Sequence, residues 1–147
     1  MPPRPINDEP CPVARAVDIV GDRWSLLIVR DAFDDTRRFG DFQRNLGMAR
    51  NILSDRLRKL VEAGILETRN ASDGTAYQEY VLTPQGESLF PVVVALRQWG
   101  EQHLFKRGER HSVLIETRTG KPIPHMAPVA KDGTALPPSM TEVRKVT

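Results

Sequence analysis

Residues 38–66 read RFGDFQRNLGMARNILSDRLRKLVEAGIL, and the spacing of their apolar side chains decides the rest. Phe39, Phe42 and Leu46 recur at helical intervals, which predicts a short helix over about Phe39 to Leu46. Gly47 breaks the chain. A longer helix follows from Arg50 to Ala63, with Leu53, Leu57, Leu60 and Val61 at i, i+4, i+7 and i+8 on one face. Gly64 ends it at a position that favours a left-handed backbone. Two helices joined by a tight glycine turn make a helix-turn-helix.

Beyond this stretch the period changes from helix to strand. Ile65 to Arg69 and Ala76 to Leu82 alternate as strands do, and Ser72-Asp73-Gly74-Thr75 between them is a hairpin signal. Tyr77, Glu79 and Val81 share one face of the second strand, and Gln78, Tyr80 and Leu82 the other. Thr83 and Pro84 start a last helix that should continue to about Phe105. Its apolar stripe is Leu89, Val92, Val93, Leu96 and Trp99, and Pro91 should bend it. On the N-terminal side, Pro12 opens a helix carrying Val13, Ala16, Val17 and Val20, stopped by Gly21. Asp22 caps another, in which Trp24, Leu27, Ile28 and Ala32 face inward.

The 147 residues suit one domain with an appendage. Residues 1–10 hold four prolines and read as a flexible lead-in. Residues 11–106 form the winged helix-turn-helix domain. From 107 to 147, short apolar pieces at Val113–Ile115, Ala127–Ala130 and Val143–Val146 alternate with Thr119-Gly120 and Asp132-Gly133 turn signals, giving a β-rich or partly ordered extension. The expected fold is therefore α+β and mainly α.

No apolar run reaches the roughly 18 residues a membrane-spanning helix needs. The opening residues lack the apolar core of a secretory signal, and a single cysteine allows no internal disulfide. Both features fit a reducing cytoplasm. Catalytic signatures are missing as well: there is no Gly-x-Ser-x-Gly elbow, phosphate loop, dinucleotide fingerprint or His-Glu-x-x-His. His103, His111 and His125 are spaced unlike any compact ligand set, so neither metal nor cofactor is expected. The Asp34-Asp35 pair falls in a turn, where a solvated capping role suffices.

Charge points elsewhere. The whole chain is only +2, yet residues 36–69 hold eight basic and four acidic side chains, a local +4. On the Arg50–Ala63 helix the leucines point inward, leaving Arg50, Asn51, Ser54, Asp55 and Arg58 as the candidate base-reading set. Arg engages guanine, Asn pairs with adenine and Ser donates or accepts. Arg37, Arg38, Arg44 and Lys59 are placed to touch phosphates, and Arg69, Asn70 and Thr75 on the hairpin to reach a minor groove or the backbone. The same surfaces in a protein-interaction module would more often carry exposed apolar anchors than arginines.

The segments CPVARAVDIVGDRWSLLIVRDAF (11–33), RFGDFQRNL (38–46), ILSDRLRKLVEAGIL (52–66), EYVLTPQG (79–86) and LRQWGEQH (96–103) resemble, in order and spacing, the HxlR-type family of bacterial winged-helix transcriptional regulators. The resemblance covers about two thirds of the chain. It implies a homodimer on pseudo-palindromic double-stranded operator DNA, with Arg50–Ala63 as recognition helix. It also implies a dimer interface from the first and last helices, here Val13, Val17, Val92, Leu96 and Trp99. Two features depart from the family pattern: Ala49 stands where a capping Ser is common, and the wing tip lacks prolines.

Cys11 sits at a helix start, where the dipole favours a thiolate, with Arg15 one turn along. In some members of the similar family a cysteine at this position senses oxidants. The reading on which these lines converge is a DNA-binding repressor under redox or small-molecule control.

Overall fold

The structure, a computed structural model, describes residues 10–146. Apart from Pro10, the expected flexible lead-in lies outside the described residues. Two compact units divide at Phe90 and Pro91.

The first unit opens with α1 (Pro12–Val20), α2 (Arg23–Phe33), α3 (Phe39–Leu46) and α4 (Arg50–Glu62). It continues with β1 (Leu66–Asn70), β2 (Gln78–Leu82) and α5 (Pro84–Glu87). Its core is built by Ile28 and Val29 of α2, Phe42 of α3, and Leu53, Leu57 and Leu60 of α4, with Ile65 and Leu66 closing it from the strand side. The leucines sit where the period-3.6 pattern puts them, so α4 is held by one face and presents the other outward.

Gly47 makes the turn between α3 and α4 possible. It lies at φ 63°, in the left-handed region where a Cβ is penalised, and its N–H donates to the Gln43 carbonyl at 2.8 Å. Ala49 caps α4 without a side-chain hydrogen bond.

β1 and β2 pair antiparallel from Leu66 opposite Leu82 to Asn70 opposite Gln78. β1 is shifted one residue toward the hairpin from the expected Ile65–Arg69, and β2 begins at Gln78 rather than Ala76. Thr83 then staples the region together. Its hydroxyl donates to the Gly64 carbonyl and accepts from the Gly86 N–H, while its own N–H donates to the Ile65 carbonyl at 3.1 Å. Gly86 is required by close approach, because a Cβ there would lie 2.1 Å from the Ile65 carbonyl oxygen.

Three expectations are corrected. α2 buries Ile28 as expected, but together with Ser25, Val29 and Asp31, while Trp24, Leu27 and Ala32 are only half-buried. Arg30 bonds Oδ1 of the buried Asp31 carboxylate through Nε at 3.0 Å and a terminal nitrogen at 2.9 Å, which offsets part of the cost of a charge in the core. The last helix is also not continuous. α5 stops at Glu87 and α6 (Phe90–His103) begins afresh, because Pro91 has no N–H to donate and its ring crowds the carbonyl four residues back.

The third correction concerns the second unit, which comprises most of α6 and residues up to 146. The extension contains two isolated β-bridges, Ile115 with Pro122 and Val129 with Ala135, and a 3-10 turn at Pro138–Met140, with no strand among the described residues. Prolines at 122, 124, 128, 137 and 138 lack the donors a ladder needs. Side chains of α6 hold the segment instead. Arg97 donates to the Ser112 carbonyl and hydroxyl, and the Gln98 amide donates to the Pro124 carbonyl and accepts from the Met126 N–H. The expected turns are present, with Gly120 and Gly133 both at positive φ. No helix among the described residues is long and apolar enough to cross a membrane.

Candidate nucleic-acid interface

With Leu53, Leu57 and Leu60 turned into the core, the helical period sends Asn51, Asp55, Arg58 and Glu62 outward as one stripe, at i, i+4, i+7 and i+11. Arg50, Asn51, Ser54, Arg58 and Lys59 are exposed and Asp55 is half-buried. The guanidinium of Arg50 lies 5.0 Å from the centre of the Phe39 ring, a cation–π contact that positions it at the N-terminal end of α4.

The stripe is internally paired. The Asp55 carboxylate accepts from Arg56 at 2.8 Å and Arg58 at 2.7 Å and faces the Lys59 ammonium at 3.3 Å. Glu62 accepts from Arg58 at 2.9 Å. Hydrogen bonds from Arg58 and then Lys59 hold the Asp55 carboxyl below its ordinary range, and those carboxylates raise the pKa of Arg58. Arg56 also donates to Asp22 at 3.2 Å, the residue that caps α2 through the Ser25 N–H. Burial works against the Asp22 charge, and the bonds from Ser25 and Arg56 outweigh it, so its carboxyl is held low.

The hairpin is fastened to the start of α3. Arg38 pairs with Asp73 at the hairpin tip and lies 5.2 Å over the Tyr77 ring. Arg37 donates to Glu79 at 3.5 Å, and its carbonyl accepts from the Tyr80 N–H at 2.7 Å. Glu79, only 5% exposed, also accepts from the Ser72 N–H and hydroxyl. The backbone bond from Ser72 is the main force lowering its pKa, with the Ser72 hydroxyl and Arg37 adding to it. Between α3, the start of α4 and the hairpin lies a cleft of roughly 580 Å3, lined by Arg38, Phe39, Arg44, Arg50, Tyr77 and Tyr80.

The expected phosphate-contacting set thus divides. Arg44 and Lys59 point to solvent, each beside one carboxylate (Asp41 and Asp55), whereas Arg37 and Arg38 are engaged in holding the hairpin. Arg69 is exposed and bonded to Glu67, Asn70 is exposed at the end of β1, and Thr75 donates its N–H and hydroxyl to Asp73. The structure brings Arg50, Asn51, Ser54, Asp55 and Arg58 together on one helix. It adds two residues that sequence reasoning missed, Glu79 and Asp73. The hairpin signal located Asp73, but nothing in the sequence marked its partner.

Cys11 is exposed at the N-cap of α1. Val13 and Val17 of α1 are exposed to 70% and 54%, and Val92, Leu96 and Trp99 of α6 are exposed too. Among the described residues no three His, Cys, Asp or Glu side chains are grouped to hold a metal. His111 instead packs on Phe105, with ring centres 4.8 Å apart.

A glycine-turned helix pair followed by a two-stranded hairpin fastened back onto it defines a winged helix-turn-helix protein. The chain belongs to the HxlR-like helix-turn-helix family, whose profile matches residues 19–107. It is 49% identical over 92 residues to Rv3095 of Mycobacterium tuberculosis, an uncharacterized HTH-type transcriptional regulator. That alignment covers 63% of this chain and only 58% of the relative. The crystal structure of PA1607 is similar throughout, with 48% identity, a TM-score of 0.90, and coverage of 95% of this chain and 98% of that one. The redox regulator HypR in its reduced form is more distant, at 28% identity and a TM-score of 0.59, covering 64% of this chain and 94% of its own.

Proposed function

We propose that the chain is a DNA-binding transcriptional regulator that acts as a repressor, reading a pseudo-palindromic operator as a homodimer. The observation that carries this reading is the outward polar stripe of α4, which stands over fully buried leucines beside a hairpin fixed to the same body. Arg50, Asn51, Ser54, Asp55 and Arg58 then meet base edges in the major groove. Arg44, Lys59, Arg69, Asn70 and Thr75 meet the backbone, and Arg37 and Arg38 contribute mainly by setting the hairpin. The apolar residues left exposed on α1 and α6, Val13, Val17, Val92, Leu96 and Trp99, pack against a second copy, and two-fold symmetry supplies the two half-sites.

Control enters through Cys11. Its exposure at a helix start and the likeness to the redox regulator HypR both support an oxidant input. With one cysteine per chain, two Cys11 thiols lose two protons and two electrons to an oxidant such as diamide and join as an intersubunit disulfide. A small-molecule effector is the other route, and the response of Cys11→Ser to diamide separates them.

Selection of bound sequences from random duplexes tests the central reading. The expected result is one two-fold-related sequence whose binding falls steeply with salt, as counterion release requires. Equal affinity for selected and random duplex overturns it.

A further inference from the structure

The outward stripe of α4 carries a carboxylate on the face that the reading above turns toward a strongly anionic duplex. Asp55 lies between Asn51 and Arg58, and three cations, Arg56, Arg58 and Lys59, converge on it. An acid in this position weakens attraction to any duplex, so it has to be accounted for by what it selects.

We infer that Asp55 is the specificity-determining residue of α4: it withholds Arg58 and Lys59 from arbitrary duplex and releases them where a cytosine amino group takes their place. The inference rests on the DNA-binding reading above. A carboxylate is an acceptor only. Entering a groove strips its water, and an unmatched charge there is strongly disfavoured. Among base edges in the major groove, cytosine presents a donor without a neighbouring acceptor, whereas adenine presents both and suits an amide such as Asn51. On a matching site the Asp55 charge moves to the cytosine N4 donor, and Arg58, one turn along, is free to reach guanine O6 and N7. On a mismatched site Asp55 keeps its cations, and the duplex meets a neutralised helix. Specificity of this kind depends on rejection as much as on attraction.

The test compares wild type, Asp55→Asn, and Asp55→Asn combined with Arg58→Gln on selected operator and random duplex across a salt series. Asp55→Asn should bind random duplex about tenfold more tightly, with a steeper salt dependence. Its operator-to-random ratio should fall roughly tenfold, and sequences reselected with it should lose a cytosine at one position of each half-site. Adding Arg58→Gln should reverse most of the gain on random duplex. Should wild type prefer its operator while Asp55→Asn leaves the ratio and the salt slope within about twofold, the role of Asp55 is overturned and operator reading stands. Equal weakening on both duplexes also overturns it, since that marks a merely structural residue. A wild type without any preference removes the DNA-binding reading itself. Thermal melts accompany each variant, and Asp55→Ser repeats the comparison if the Asn variant is unfolded.

Discussion

Arg38 and Asp73, 35 residues apart in the chain, are joined as an ion pair that ties the start of α3 to the tip of the hairpin. Because Arg38 also lies over the Tyr77 ring, one side chain grips the hairpin at two points. Replacing it should loosen the hairpin and leave the helical core in place. In Arg38→Ala, amide exchange at Gly74 and Thr75 is expected to accelerate, while exchange at Leu57 and Leu60 stays slow.

The same hairpin should respond to acid. The backbone N–H and hydroxyl of Thr75, and then Arg38, hold the Asp73 carboxyl at about 2 against an ordinary 3.8, and the Ser72 N–H leads in lowering Glu79. Both groups bind protons less readily folded than unfolded. Their stabilisation is therefore complete above the unfolded values near 4 and is lost as the pH falls toward 2. Thermal melts between pH 5 and 2 should show a falling midpoint, and Asp73→Asn should flatten part of that slope.

Helix α4 is capped by Ala49, whose extended backbone suits a cap but whose side chain offers no acceptor. Ala49→Ser should stabilise the protein by about 0.5–1 kcal/mol, read from urea unfolding midpoints. An unchanged midpoint would show that the first turn of α4 is already satisfied by solvent.

Leu57 is fully buried beneath the outward stripe. Leu57→Ala should cost about 2–5 kcal/mol, measured by the same unfolding, because the lost contacts leave a cavity that the surrounding helices fill only in part.

For the proposed dimer, the exposed stripe of α6 is the place to intervene. Leu96→Glu, with Trp99 left intact, should convert a dimer to monomers in sedimentation velocity and weaken operator binding by more than tenfold, since half-sites are then bound singly. Unchanged sedimentation would remove this face from the interface.

Much of the frame was readable from local punctuation. Phe39 to Leu46 is a helix with the expected limits because a glycine able to adopt φ 63° stops it, and α4 follows its leucine period to within one residue. The pairing of Asp55 with Arg58 and Lys59 is an i, i+3 and i, i+4 relation, equally local. What was not readable depends on distant partners. The phase of α2 was misjudged because an acid, Asp31, is buried alongside Arg30, and apolar spacing alone gives no warning of that. Glu79 looked like one of three residues on a strand face. It is buried because the hairpin brings Ser72 over it and Arg37 reaches across from a segment 42 residues earlier. Pro91 was expected to bend a helix, and the structure shows two helices there.

The threonine hydroxyl at position 83 has a mechanical consequence. It bonds the chain just beyond α4 at Gly64 and the first turn of α5 at Gly86, immediately after β2 ends. The Gly86 backbone is seated directly on the Ile65 carbonyl, with no room between them for a side chain. One hydroxyl thus ties the exit of α4 to the chain leaving the hairpin, and Thr83→Val should speed amide exchange at Gly86 while Leu57 stays protected.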